Sequence, residues 1–191
     1  ADSNYAISFV TADFSITAAP LTVTASDQTK VYGATDPVLT YSITGFVNGD
    51  LESDLDTAVS ISRAVGETVG TYTITPSAAT DSNYAISFVT ADFSITAAPL
   101  TVTASDQTKV YGATDPVLTY SITGFVNGDL ESDLDTAVSI SRAVGETVGT
   151  YTITPSAATD SNYAISFVTA DFSITAAALT VTASDQTKVY R

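Results

Sequence analysis

Four carboxylates fall within seven residues, in the run Asp50-Leu51-Glu52-Ser53-Asp54-Leu55-Asp56, and the set recurs as Asp129, Glu131, Asp133 and Asp135. Calcium binds through about six to eight oxygen ligands, and acidic side chains supply them well. Asp36, Asp81 and Asp92 could add to such a site from loops. The order departs from the EF-hand loop, because Gly49 precedes the acids instead of falling among them. Leu51 and Leu55 are four apart and would share one face of a helical turn, with Asp50 as its cap and Glu52 near its positive end. A helix there would fan the carboxylates outward as a solvated acidic face. Paired carboxylates also hydrolyse glycosides, but they do so across a cleft, and these lie in one short stretch. No catalytic residue is assigned, and calcium at these eight acids is the one metal reading.

The chain has no His and no Cys. That removes the common nucleophile–base triads, disulfides, most zinc sites and iron–sulfur clusters. Each repeat carries two basic residues, Lys30 and Arg63 in the first. A lysine of this kind could condense with Asn83 or Asn48 into an isopeptide crosslink. The competing reading is a lysine on a strand edge, where its charge deters aggregation. Tyr32, Tyr41, Tyr72 and Tyr84 could form an aromatic platform for glycans. Three of them alternate with polar residues beside Leu or Ile, which points to core packing instead.

The net charge is −15, from 21 acids against 6 bases. Phosphate backbones and anionic membranes both require the opposite sign, so neither nucleic acid nor a membrane surface is an expected partner. Acidity of this degree keeps a long extracellular protein soluble. No apolar run approaches the roughly 20 residues of a membrane span. The chain lacks Met, as expected of a piece of a longer or processed protein whose targeting signals lie elsewhere. With 45% apolar and only 14% charged residues, the chain can bury a core and is not expected to be disordered.

What must position these residues is a repeat. Residues 1–112 match residues 80–191 at all but three pairs: Ala1 against Thr80, Pro99 against Ala178, and Gly112 against Arg191. The period of 79 exceeds that of most solenoids and suits a small domain with its own core. We expect the end of one repeat at 1–20, full repeats at 21–99 and 100–178, and the start of another at 179–191. Boundaries at 2, 81 and 160 fit the period equally well.

Within one repeat, Leu21–Ala25, Leu39–Thr44, Thr57–Ser62, Tyr72–Thr75, Tyr84–Phe88 and Phe93–Ile95 alternate apolar with polar residues, the period of a half-buried strand. Asn48-Gly49 is a strong turn signal. Pro76 should stop its strand, and Ala97-Ala98-Pro99 should form a short, semi-rigid connector. Ala178 in place of proline predicts a freer joint there. Six to eight short strands and one helical turn are expected per repeat.

The repeat resembles the MBG domain of the YGX type. The resemblance rests on Leu21–Ala25 (LTVTA), Lys30–Gly33 (KVYG), Asp36-Pro37, Leu39–Gly45 (LTYSITG), Asn48–Asp50 (NGD), Val69–Thr75 (VGTYTIT) and Asn83–Val89 (NYAISFV). It implies a mostly β fold of tandem small β-rich, β-grasp-like domains; with one short helical turn each and the short proline connector between them, they are expected to lie end to end as a rod. It also implies a secreted or cell-surface bacterial adhesin, without catalytic residues. Neighbouring repeats of the same chain are then the expected partners, with host or cell-surface glycans engaged through other domains. Three roles follow: a stalk that projects a binding domain, a weak glycan- or mucin-binding module acting by avidity, or a self-associating repeat.

Overall fold

The computed structural model describes residues 3–191. It is mostly β, in tandem repeated sheet units. The first strand set comprises β1 (Ala19–Ala25), β2 (Gln28–Val31), β3 (Tyr41–Thr44), β4 (Ser60–Arg63), β5 (Gly70–Ser77), β6 (Tyr84–Val89) and β7 (Ala91–Thr96). The second comprises β8 (Ala98–Ala104), β9 (Gln107–Val110), β10 (Tyr120–Thr123), β11 (Ser139–Arg142), β12 (Gly149–Ser156), β13 (Tyr163–Val168) and β14 (Ala170–Thr175). Each set forms a three-stranded and a four-stranded sheet, in the orders β3-β1-β6 and β2-β7-β5-β4, then β10-β8-β13 and β11-β12-β14-β9.

Contacts divide the chain into two compact units. One holds the residues up to Thr29 with Asp36–Gly66 and Gly70–Ser94; the other holds Lys30–Thr35, Glu67–Val69 and Ile95–Arg191.

The second unit shows how the strands are held. β8 runs parallel to β13 from Ala98↔Tyr163 to Thr103↔Val168, and β9 runs parallel to β14 from Gln107↔Phe172 to Val110↔Thr175. The partner is 65 residues downstream in both ladders (163 − 98 and 172 − 107). One pair of parallel arms therefore passes from the first sheet into the second without a change of register. Where it crosses, the Asp106 carboxylate accepts from the Asp171 backbone N–H at 2.8 Å. This bond supplies a partner where the ladder is interrupted.

Alternation places the core. Ala104, Ile153, Phe172 and Ile174 form one buried cluster, closed by Leu118, Ile140 and Tyr151. Ala98, Leu100 and Tyr163 form a second, with Ile122, Phe125 and Leu134 packed on it. Ile153 and Phe172 are fully buried, so each contributes about 1.5–3 kcal/mol of apolar transfer.

The acidic run forms a single 3-10 turn, Glu52–Asp54 and again Glu131–Asp133, the one short helical turn expected in each repeat. Two expectations about it are corrected. Asp50 does not cap it; the Asp54 carboxylate accepts from the Leu51 N–H at 2.8 Å. Leu51 is exposed, so it shares no buried face with Leu55.

The prolines also lie elsewhere than expected. Pro76 does not end its strand, because β5 runs on to Ser77. Ala98-Pro99 is part of β8, not a connector. Proline is tolerated at such points because it faces one neighbour only. Pro155 pairs with Ile140 beyond the last β14 partner at Ile153, and Pro99 pairs with Ala164 ahead of the first β10 partner at Thr101. The Asn-Gly turns form as their sequence predicts, with positive φ at both residues (58° and 86° at Asn48 and Gly49).

Candidate functional site

Two groups of polar side chains could carry function: the acidic turn and the cluster around the two bases. The strands position the acids of the turn separately. Asp129 accepts from Tyr163 Oη at 2.7 Å, and Glu131 from Tyr120 Oη at 2.5 Å. Asp133 accepts from the Leu130 N–H at 2.8 Å, and Asp135 from the Ser161 N–H at 3.0 Å. Asp50, Glu52, Asp54 and Asp56 repeat this pattern with Tyr84, Tyr41, Leu51 and Ser82. Each carboxylate is thus a hydrogen-bond acceptor for a different group. Among the described residues, no three metal-capable side chains converge.

The bases gather acids from other parts of the chain. Lys109 on β9 points inward, and its Nζ lies 2.6 Å from Asp115 Oδ1 and 2.5 Å from Glu146 Oε2. Arg142 at the end of β11 meets the same two acids, with Nε 2.6 Å from Asp115 Oδ2 and Nη2 on Glu146. Its Nη1 donates to the Ala143 and Gly145 carbonyls at 2.9 and 2.8 Å. The guanidinium lies 4.7 Å from the centre of the buried Phe172 ring. Two cations and two anions thus close over one aromatic ring. Planar guanidinium geometry serves this arrangement, offering a fork to the acids and a flat face to the ring.

In the first repeat, Lys30 pairs with Glu67. Arg63 reaches Asp36 through Nε at 2.5 Å and Nη2 at 3.2 Å, and lies 4.7 Å over Phe93.

The field inside the cluster favours charge on every member. Arg142 and then Lys109 hold the Asp115 carboxyl down at about 2, and Lys109 and Arg142 lower Glu146. Hydrogen bonds that Lys109 donates to Asp115 and then to Glu146 raise its ammonium. Isopeptide condensation needs a neutral amine, so the raised Lys109 ammonium works against a crosslink through this lysine. Lys30 and Lys109 do lie on edge strands, as one sequence reading had it, but both are buried and paired instead of exposed as gatekeepers.

Sequence reasoning weighed Lys30 and Arg63 singly and missed the four-residue cluster. The available signal was scarcity: a repeat with only two bases invites a search for the acids that face them.

The tyrosines mostly pack, as the alternation predicts. Tyr163 is buried, its ring edge-on to Phe125 at 5.6 Å, and Tyr84 meets Phe46 in the same way at 5.6 Å. Burial and then the Asp129 carboxylate push the Tyr163 hydroxyl up to about 12, against a hydrogen bond from the Val126 backbone. The described residues contain no side-chain polar atom that is both buried and without a partner. No helix among them is long and apolar enough to cross a membrane.

Two seven-stranded sets whose strands and most of whose side-chain hydrogen bonds recur 79 residues apart define a tandem β-repeat module. The chain belongs to the MBG domain family of the YGX type, which matches residues 21–94 and 100–173. A comparison with curated proteins finds no match.

Proposed function

We propose that these repeats are spacers that resist traction in the stalk of a bacterial surface adhesin, without catalytic activity of their own. Tandem MBG repeats are consistent with a surface adhesin-type repeat region. The observation that carries the spacer reading is the constant 65-residue offset between the first and last arms of a unit. The chain enters the second strand set at Ala98 and leaves it at Thr175. Because the arms are parallel, those points lie at opposite ends of one paired ladder. Traction on the chain then shears the β8·β13 and β9·β14 hydrogen bonds together, and does not unzip them singly. Side-chain bonds across the arms add to the ladder, including Thr101 to Ser166 at 3.1 Å and Thr108 to the Ser173 carbonyl at 3.1 Å. Resistance to pulling is governed by the unfolding rate, which such simultaneous rupture slows.

Single-molecule stretching of the chain tests the proposal. We expect two closely similar unfolding events, each releasing about 260–280 Å of contour at roughly 3.3–3.6 Å per residue. Extension without discrete force peaks would overturn it.

A further inference from the structure

The Tyr32-Gly33 turn and Val69 lie in the first repeat matched to the family, 21–94, yet both meet residues of the second, 100–173. Accordingly, Lys30–Thr35 and Glu67–Val69 belong to the second compact unit. Tyr32 Oη donates to Asp129 Oδ2 at 3.0 Å, and the Tyr32 ring stands edge-on to Tyr163 at 5.5 Å. The ring packs there on the buried cluster of Ala98, Leu100 and Tyr163. The Val69 N–H donates to Asn162 Oδ1 at 3.0 Å.

Backbone bonds fix both sides of this contact. The Tyr32 N–H donates to the Thr96 carbonyl at 2.8 Å, and the Thr96 hydroxyl donates to the Lys30 carbonyl at 3.2 Å. Just beyond Thr96, the Ala98 N–H donates to the Asn162 carbonyl at 3.0 Å. Asn162 thus holds Ala98 by its main chain and Val69 by its side chain. Gly33 must be glycine on two counts: its φ is +81°, and a Cβ there would lie 2.5 Å from Val126 Cγ2. The tyrosine–glycine pair carries part of the family resemblance, and the ion-pair cluster uses neither residue.

We propose that the Tyr32-Gly33 turn and the Val69 N–H form a clasp on the repeat that follows, with Val126, Asp129, Asn162 and Tyr163 as the receiving surface. The partner is the next copy in the same chain. Tyrosine suits the task, because its ring covers the edge of the apolar cluster while its hydroxyl reaches the carboxylate. Buried aromatic anchors of this kind carry much of the energy of an interface. The covalent connection supplies a high effective concentration, so a small surface suffices. The second repeat then draws part of its stability from the first, as nearest-neighbour terms do in repeat arrays. The coupling is independent of the stalk role and holds whatever the array carries.

Native-state hydrogen exchange of the whole chain tests the clasp, because each amide reports the opening of its own segment. Tyr32→Ala should speed exchange of the β8 and β13 amides by about tenfold or more, through loss of the ring contact and the hydrogen bond. The β4 and β5 amides, which belong to the first unit, should exchange as in the wild type. Tyr32→Phe keeps the ring and should fall between. Asn162→Ala probes the contact from the other side, and the Val69 amide should exchange faster in it. Unchanged β8 and β13 amides in Tyr32→Ala would overturn the proposal. If that variant loosens β4 and β5 as well, Asn162→Ala decides: faster exchange at Val69 supports the clasp, and exchange at the wild-type rate overturns it.

Discussion

Arg142 Nε meets Asp115 Oδ2 at 2.6 Å across 27 residues of sequence, while Asp115 Oδ1 takes the buried Lys109 ammonium at the same distance. One carboxylate thereby bridges both bases of its repeat, with Glu146 as the second anion. The pKa of Asp115 falls to about 2, below the unfolded value near 3.9. Folding therefore favours the ionised form, and its contribution is complete above about pH 4 and lost as the pH falls through about 2. Glu146, lowered in the same direction, adds to that loss. Urea denaturation as a function of pH should show a stability plateau that breaks below about pH 4. Asp115→Asn should lower the plateau and flatten the break, because Lys109 then stays buried with one acid fewer.

Tyr163 supplies the alkaline counterpart. Its hydroxyl is raised to about 12, so the neutral form is favoured by folding. That contribution is present below about pH 10, the unfolded value, and disappears as the pH rises through about 12. Ultraviolet titration should show a later tyrosine step near pH 12 that accompanies loss of structure. Tyr163→Phe should remove the later step. A single transition near pH 10 in the wild-type protein would contradict the burial.

Gly145 has φ near +157°, and a Cβ on it would lie 2.0 Å from Tyr151 Cε1. Gly128 has φ near +84° with nothing in the way. Gly128→Ala should cost only the backbone penalty, about 1–2 kcal/mol. Gly145→Ala should cost more, because it displaces the ring that packs 5.8 Å from the Arg142 guanidinium. Thermal melts of the two variants should separate clearly, with Gly145→Ala the lower. Equal melting temperatures would show that the ring yields freely.

The acidic turns give a prediction about calcium. Each acid from Asp129 to Asp135 already accepts from a different donor. A site of about six to eight oxygens would have to break several of these bonds. Millimolar calcium or a chelator should therefore leave the melting temperature unchanged. A shift of several degrees, lost in Asp133→Asn, would establish a site in the turn.

Much of the fold was legible from local pattern. Alternation identified β1, β3, β5 and their repeats, because a strand with one buried face must alternate. Asn48-Gly49 announced its turn, because few residues accept positive φ. The ion-pair cluster was not legible. Lys109, Asp115, Arg142 and Glu146 come from a strand, a loop, another strand's end and another loop, and no spacing rule joins them. The prolines were misread for a related reason: whether proline ends a strand depends on the neighbour at that position, which is a tertiary fact.

One segment separates the two kinds of information. The sequence Asn-Tyr-Ala-Ile-Ser-Phe-Val-Thr-Ala-Asp-Phe-Ser-Ile-Thr occurs at 4–17, 83–96 and 162–175. The last two copies form strands, with Phe93 and Phe172 fully buried. At 4–17 no strand forms, and Phe14 is 90% exposed. The residues determine the 79-residue repeat, the alternation and the turns. They cannot make a strand alone, because a strand's hydrogen bonds run to another segment, as they do for the copies at 83–96 and 162–175. Whether these apolar side chains are core or surface is therefore decided by the tertiary structure.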